Sequence, residues 1–405
     1  MRTDKKQGKE EKSAIFVSKN TVFDLNLRLF CLTIRLNIYK NAGIAKAWEE
    51  IMAEKKKIVV IGYGGMGKWH VNYLVDSDVC ELVGICDINE ARRAEAREKG
   101  IKTYNCIEEV LADESVELVS LVVPNELHEP MAIAAMEAGK HVICEKPVTM
   151  SSESLQRMID ASNRTGKLFT VHQNRRWDKD FKMMRQLYSS GELGEVFSIE
   201  SRVHGSRGIP GDWRGKKEHG GGMILDWGVH LIDQMLILVN DRKVEKVYCR
   251  CDHVTNYEVD DGFKLDLYFE KELTAHIEVG TSNFIALPRY YMLGTNGSGL
   301  IQGWLDNCKI VSCKNWSEKD VVPVVTAAGL TKTMAPRDEK TVTESEIIRP
   351  TSDVHEFYRN VCAAIDGREE QIVRHDQVMR VMKIMEAAFK SDELRQIIDV
   401  DDKIC

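Results

Sequence analysis

A doubly wound, parallel α/β sheet followed by an α+β domain with an open, mainly antiparallel sheet is the architecture the sequence predicts. Three observations carry it. Short apolar strands alternate with charged or amphipathic helices through the first part of the chain, as in a parallel sheet covered on both faces. Farther on, EVFSIESRVH, VEKVYCRCDHV, GFKLDLYFE and LTAHIEVGTS alternate apolar and polar residues, the pattern of half-buried strands. Finally, 405 residues exceed what one ordinary core organises. The expected division is 1–51 outside the fold, 52–175 for the α/β domain and 176–405 for the second.

The first element is IVVIG, Ile58 to Gly62, a fully apolar and β-branched strand. GYGGMG follows at once, with Gly62, Gly64 and Gly67 in the spacing G-x-G-x-x-G. In a Rossmann dinucleotide-binding unit the first glycine permits the tight turn, the second lets backbone approach a pyrophosphate, and the third lets helix pack on strand. Gly65 and Met66 complete the turn, and a helix beginning around Met66 turns its unpaired N–H groups toward the phosphates. Alone the glycine spacing is weak. Its context strengthens it, because CELVGICDIN supplies a second strand ending in Asp87, where a carboxylate can accept both ribose hydroxyls. That acid predicts NAD before NADP, with no arginine directly after it and Arg92 and Arg93 farther into the next helix.

The alternation continues. ARRAEAREKG is a helix with a glycine stop, VELVSLVVP a strand ended by Pro124, HEPMAIAAMEAGK a helix and HVIC a strand. Ligands in such sheets lie beyond the carboxyl ends of the strands, so Pro124-Asn125, with His128 nearby, and Glu145-Lys146-Pro147 face the cofactor. SSESLQRMIDASNRTGK reads as an amphipathic helix and LFTVHQNRRW as a strand running into Asn174–Trp177.

Composition excludes several classes. A net charge of −7 offers no concentrated positive face for nucleic acid. No stretch of about 20 uncharged apolar residues exists, which argues against a membrane span. The 11 cysteines lack paired C-x-x-C spacing and read as reduced thiols in a cytoplasm, with no metal site expected. Cys249 and Cys251 would point the same way on a strand.

GYGGMG, VVPNELH, CEKPV and GGGMILDWGVHLIDQML, in this order, resemble the Gfo/Idh/MocA family of glucose–fructose oxidoreductases and inositol dehydrogenases. The resemblance spans roughly residues 55–390 and implies an oxidoreductase acting on CH–OH groups. It implies that Lys146, before a cis peptide bond to Pro147, lies beside the nicotinamide and the reacting hydroxyl. Asp226 and His230 then answer to the family's second-domain acid and histidine. Four residues apart on a helix, they share a face. His230 fits a general base, Asp226 a group orienting substrate, and Asp233 a support behind His230. Asn125 and His128 answer to contacts near the nicotinamide and ribose.

In the glycine-rich loop GSRGIPGDWRGKKEHGGG, Trp213 and Arg214 suit a polyol, whose C–H face is apolar and whose rim is hydroxylated. Arg175, in NRRW, is a further candidate substrate contact. His219, Asp226 and His230 form a poor metal trio, since the glycines beside His219 leave it badly aimed. The implied substrate is a sugar, glycoside or cyclitol, with hexose C3 oxidation leading and inositol second. Two alternatives stand: an NAD-dependent glycosidase working by transient oxidation and elimination, and a non-enzymatic NAD-binding regulator. The open sheet is expected to join copies of the chain into a homo-oligomer.

Overall fold

A computed structural model describes residues 54–313, 316 and 322–402. The stretch 1–51, expected outside the fold, lies outside the described residues.

The first sheet contains β1 (Lys56–Ile61), β2 (Cys80–Cys86), β3 (Thr103–Tyr104), β4 (Leu118–Leu121), β5 (His141–Cys144) and β6 (Phe169–Val171). They pair in the order β3-β2-β1-β4-β5-β6, and every ladder is parallel. Helices α1 (Gly65–Leu74), α2 (Glu90–Glu98), α3 (Ile107–Ala112), α4 (His128–Glu137) and α5 (Ser152–Thr165) connect them. Ile58, Val59 and Val60 of β1 and Leu118 and Val119 of β4 are wholly buried, because helices cover both faces. The chain winds outward both ways from β1 and β4, which opens a crevice above their carboxyl ends. Local chemistry fixes the helix ends. Asn89 caps α2 by accepting the N–H groups of Ala91 and Arg92, and Ser151 caps α5 by accepting that of Ser154.

The second sheet follows α6 (Lys179–Ser190). It comprises β7 (Val196–His204), β8 (Val244–Asp252), β9 (Gly262–Phe269), β10 (Leu273–Gly280), β11 (Tyr290–Gly294), β12 (Gly297–Ile301) and β13 (Cys308–Cys313). A hairpin of β14 (Val324–Thr326) and β15 (Gly329–Thr331) leads to β16 (Val342–Ile347), and β17 (Ile398–Asp399) closes the far edge. The order is β16-β13-β12-β11-β7-β10-β9-β8-β17. The simple meander expected from β7 onward is corrected: β8, β9 and β10 form one, but β7 pairs with β10 in parallel. The glycine-rich loop and helix α7 (Val229–Leu238) separate β7 from β8, and so long a connection permits a crossover instead of a hairpin. Cys249 is buried and Cys251 half-buried, on the same side of β8. Strands β11 to β13 and β16, outside the alternating segments of the sequence, extend the sheet, with β11 and β12 joined by the two-residue turn Thr295-Asn296.

Helix α7 is apolar nearly all round and sits buried, with α8 (His355–Ile365) and α9 (His375–Leu394) closing the core. The segment Asn174–Trp177, read as the end of a strand, is a short 3₁₀ turn after β6. None of the helices among the described residues is long and apolar enough to cross a membrane.

Candidate active site

The carboxyl edge of the first sheet and the loop after β7 enclose a cleft of about 470 Å³. Its walls include Gly64 to Gly67, Val122 to Asn125, Lys146, Trp213, Arg214 and Asp226. At its floor, Gly62 has φ +98, and a Cβ there would lie 2.1 Å from the Val122 carbonyl oxygen. A Cβ on Gly67 would lie 1.9 Å from the carbonyl oxygen of Gly62. Strand end and helix start therefore touch only because both positions lack side chains. Above Gly65 the space is open, and no side chain caps α1, so its free N–H groups face the cleft. This is a cradle for a pyrophosphate.

Asp87 ends β2 and is buried. Its Oδ2 accepts the Tyr63 backbone N–H at 2.8 Å, and its Oδ1 accepts that of Asn89 at 2.8 Å. Arg92 was expected to lie too far along the next helix to matter. Helix α2 begins immediately after Asn89, so the Arg92 guanidinium returns over the strand end, donates to Asp87 Oδ2 at 3.2 Å and lines the cleft. The Asn89 cap was the signal that placed it there.

Lys146 and Asp226 meet across the cleft. Lys146 Nζ donates to the Asp226 carbonyl oxygen at 2.8 Å and to Oδ1 at 3.0 Å. The Lys146–Pro147 peptide bond is cis. Arg214 Nε donates to Asp226 Oδ2 at 2.9 Å, while its Nη1 reaches Asp212 Oδ2 at 2.8 Å. Burial opposes ionisation of Asp226, but the Lys146 and Arg214 cations outweigh it and hold the carboxyl below the usual aspartate range. Asp226 therefore binds both the lysine and the arginine. It stands in a π turn, Ile224–Gly228, that leads directly into α7.

His230, in the first turn of α7, is 4% exposed, with its ring 6.2 Å from that of Trp227. Burial, then the charges of Lys146 and Arg175, push its pKa well below the ordinary histidine value, so the ring is neutral. Its Nδ1 is buried without a hydrogen-bond partner. Asp233, expected to support this histidine, instead holds Arg176 through two bonds of 2.8 and 2.6 Å. The arginine from the NRRW turn reaches the buried carboxylate first and neutralises it.

Three further expected site residues are engaged by protein partners. The His128 side chain is wholly buried at the cleft wall, with Nε2 3.0 Å from the Val123 carbonyl oxygen and Nδ1 3.1 Å from that of Pro147, so it braces the ends of β4 and β5. Glu145 borders the cleft floor, but its carboxylate is taken up by His70, His172 and the Lys146 N–H. Arg175 lines a neighbouring cavity of about 390 Å³ with Trp304 and Leu305, its guanidinium 4.2 Å from the centre of the Trp227 ring. Pro124 lines the main cleft, and Asn125 Nδ2 donates to the His219 carbonyl oxygen at 3.1 Å, tying the strand end to the second-domain loop. His219 contacts Glu126 at 3.3 Å.

The comparisons fit this geometry. A family model described as an oxidoreductase family with an NAD-binding Rossmann fold (GFO_IDH_MocA) matches residues 56–173, and the GFO/IDH/MocA C-terminal domain matches 181–299. An uncharacterised oxidoreductase of Schizosaccharomyces pombe is 30% identical over 321 residues, covering 74% of this chain and 85% of that one. The chain belongs to the Gfo/Idh/MocA oxidoreductase family. A scyllo-inositol 2-dehydrogenase (NADP⁺) of Bacillus subtilis, IolW, is 28% identical over 84% of this chain and 95% of its own. A D-glucoside 3-dehydrogenase of Escherichia coli is 28% identical over 47% of this chain and 56% of its own. Among solved structures, an NAD-binding protein from Listeria innocua superposes with a TM-score of 0.82 at 45% identity, covering 86% of this chain and all of that one. This family member is thus an oxidoreductase built to hold a nicotinamide cofactor. Its glycine cradle and free helix end fit the pyrophosphate of such a group.

Proposed function

We propose that this enzyme is a dehydrogenase of a sugar, glycoside or cyclitol, with NAD as preferred cofactor and oxidation at C3 of a hexose as the leading reaction. The observation carrying this reading is the junction of Lys146, from the cofactor edge, with Asp226, from the second-domain turn. When bound, the nicotinamide supplies the hydride acceptor. The residues do the rest.

Lys146 has three N–H donors, and Asp226 takes two, leaving one for the substrate oxygen. That donor stabilises the alkoxide as the hydroxyl proton leaves. His230, kept neutral by burial and neighbouring cations, is the base that receives the proton. Arg214 is paired with two carboxylates, those of Asp226 and Asp212, so its charge is already offset and does not call for an anionic substrate, in keeping with a neutral polyol. Trp213 supplies an indole face at the cleft wall for the sugar's C–H surface. The glucoside and inositol activities of the named relatives support the substrate class.

The test incubates purified protein with NAD or NADP and a panel of hexoses, inositols and aryl glycosides, following reduced cofactor and aglycone together. Reduced cofactor without aglycone release is expected. Aglycone release with no net reduction would make the protein a glycosidase, and cofactor binding without any turnover would make it a regulator. Lys146→Ala is expected to lower kcat by about 10²–10³-fold while NADH affinity stays within a few fold.

A further inference from the structure

Directly beneath the reacting lysine lies a buried charge. Glu145 is 6% exposed, and three N–H donors converge on its carboxylate. His70 Nε2, from α1, and His172 Nδ1, after β6, stand 2.8 and 2.6 Å from Oε1. The Lys146 backbone N–H donates to Oε2 at 3.0 Å. On its other side, His70 Nδ1 lies 2.7 Å from the Tyr358 hydroxyl of α8 and 3.2 Å from Ser120 Oγ of β4. Two hydroxyls at Nδ1 place the imidazole proton on Nε2, facing the carboxylate. His172 packs its ring 4.8 Å from Phe357, and its Nε2 is buried without a partner. Hydrogen bonds from both imidazoles to one carboxylate oxygen account for these contacts.

The same three side chains are of the kind that ligate a transition metal, and their ligand atoms lie within 4.8 Å of one another. The separations argue otherwise. Ligands held at about 2.1 Å around a tetrahedral ion stand about 3.4 Å apart, whereas both imidazole nitrogens here lie at hydrogen-bonding distance from one oxygen. Burial opposes ionisation of Glu145, and the two imidazoles outweigh it, holding the carboxyl well below its usual range. The negative charge is felt by His230, where it opposes burial and the Lys146 and Arg175 cations. His128 and Cys144 also lie within its field.

We propose that Glu145 is a positioning residue of the hydride-transfer site: a carboxylate, held by His70 and His172, that anchors the Lys146 backbone and places a negative charge beneath the reacting lysine. This rests on the dehydrogenase reading. It assigns to the glutamate of the EKP motif a role separate from cofactor contact. Its charge is static, and no proton passes along the Tyr358–His70–Glu145 chain during turnover.

The test uses the full chain and the substrate identified by the panel. Glu145→Gln keeps an oxygen for both imidazoles while removing the charge. It is expected to lower kcat about tenfold or more, with KM and NADH affinity within about twofold. The acid limb of the pH–rate profile should move to lower pH, since loss of a nearby anion disfavours protonated His230. Tyr358→Phe is expected to keep kcat within about twofold and leave the profile in place. Unchanged kcat and profile in Glu145→Gln would overturn the inference. So would a Tyr358→Phe profile that moves like that of Glu145→Gln, because the chain would then carry a proton, or one zinc or iron per chain in the purified protein. If Glu145→Gln does not fold, His172→Phe keeps the ring packed on Phe357 and withdraws one donor. A kcat between wild type and zero is expected there, and wild-type behaviour counts against the role. Lys146→Ala separates the failures: if it stays active, the dehydrogenase site itself is misassigned.

Discussion

Replacing Asp260 by Asn should stabilise the protein above neutral pH and not below about pH 4.5. Asp260 stands just before β9 and holds the start of the turn bearing Asp226. Its Oδ2 accepts the Ile224 N–H at 2.8 Å, and its carbonyl oxygen accepts the Met223 N–H at 3.1 Å. Oδ1 presses against Gly222, where a Cβ would lie 2.2 Å away. Burial pushes this carboxyl from an ordinary 3.8 up to about 7, despite the backbone donors and the opposing influence of His253. An acid whose pKa is raised by folding leaves stability intact below its unfolded value. Stability then falls as pH rises from about 4 to about 7, and the loss stays constant above that. About three pH units at about 1.4 kcal/mol each make the full loss about 4 kcal/mol.

Asparagine can keep an oxygen on the Ile224 N–H and carries no charge at any pH. Its amide nitrogen faces Gly222 and forfeits about 1–2 kcal/mol in unmet donors. The net gain at pH 8 is therefore about 2–3 kcal/mol, turning into a deficit of about 1–2 kcal/mol below about pH 4. Urea unfolding of wild type and Asp260→Asn at half-unit pH steps reads this directly. The two curves should cross between about pH 4.5 and 5.5. Parallel curves would show that Asp260 titrates normally and that its burial costs nothing.

Arg92→Ala should weaken NADP more than NAD, by about tenfold in KM or more, because its guanidinium lines the cleft beside Asp87; fluorescence titration with NADPH and NADH checks it. Arg214→Ala releases Asp226 Oδ2, so kcat should fall about 10–100-fold while NADH binding is kept, as measured by steady-state kinetics. The depressed His230 keeps its base form at acid pH, so the acid limb of kcat for alcohol oxidation should lie below the free-histidine value of about 6.5; a limb at or above that value would refute this assignment.

The cofactor half of the fold was legible because its rules are local. Gly62 and Gly67 are glycines for reasons of contact distance, and that constraint leaves a fixed spacing in the sequence. The second domain resisted the same reading. β7 pairs in parallel with β10, across the intervening strands β8 and β9, so the order depends on long-range closure that no short segment encodes. Side-chain partners were harder still. Asp233 looked like a support for His230 because both stand on α7, yet Arg176, 57 residues earlier, reached it instead. His128 was expected near the ribose, but its ring is wholly buried among the carbonyl groups of Val123, Pro147 and Val148. Periodicity reports which face a residue shares; it does not report which partner arrives from another element.

The surroundings of Asp87 bear on cofactor choice. An acid at the end of β2 excludes a 2′-phosphate only if its charge stands alone. Here Asp87 gives its two oxygens to the Tyr63 and Asn89 backbone N–H groups, and Arg92 sits on the outer side of Oδ2. The arginine side chain is 49% exposed, so it can swing between the carboxylate and a phosphate at little cost, whereas Asp87 is pinned. A pinned acid beside a movable cation favours the ribose diol and tolerates the phosphate. NAD should therefore lead by a modest factor in this enzyme, and Asp87→Ala should reverse the order by leaving Arg92 without its counter-ion. An Asp87→Ala protein that still prefers NAD would mean that neither residue reads the 2′ position.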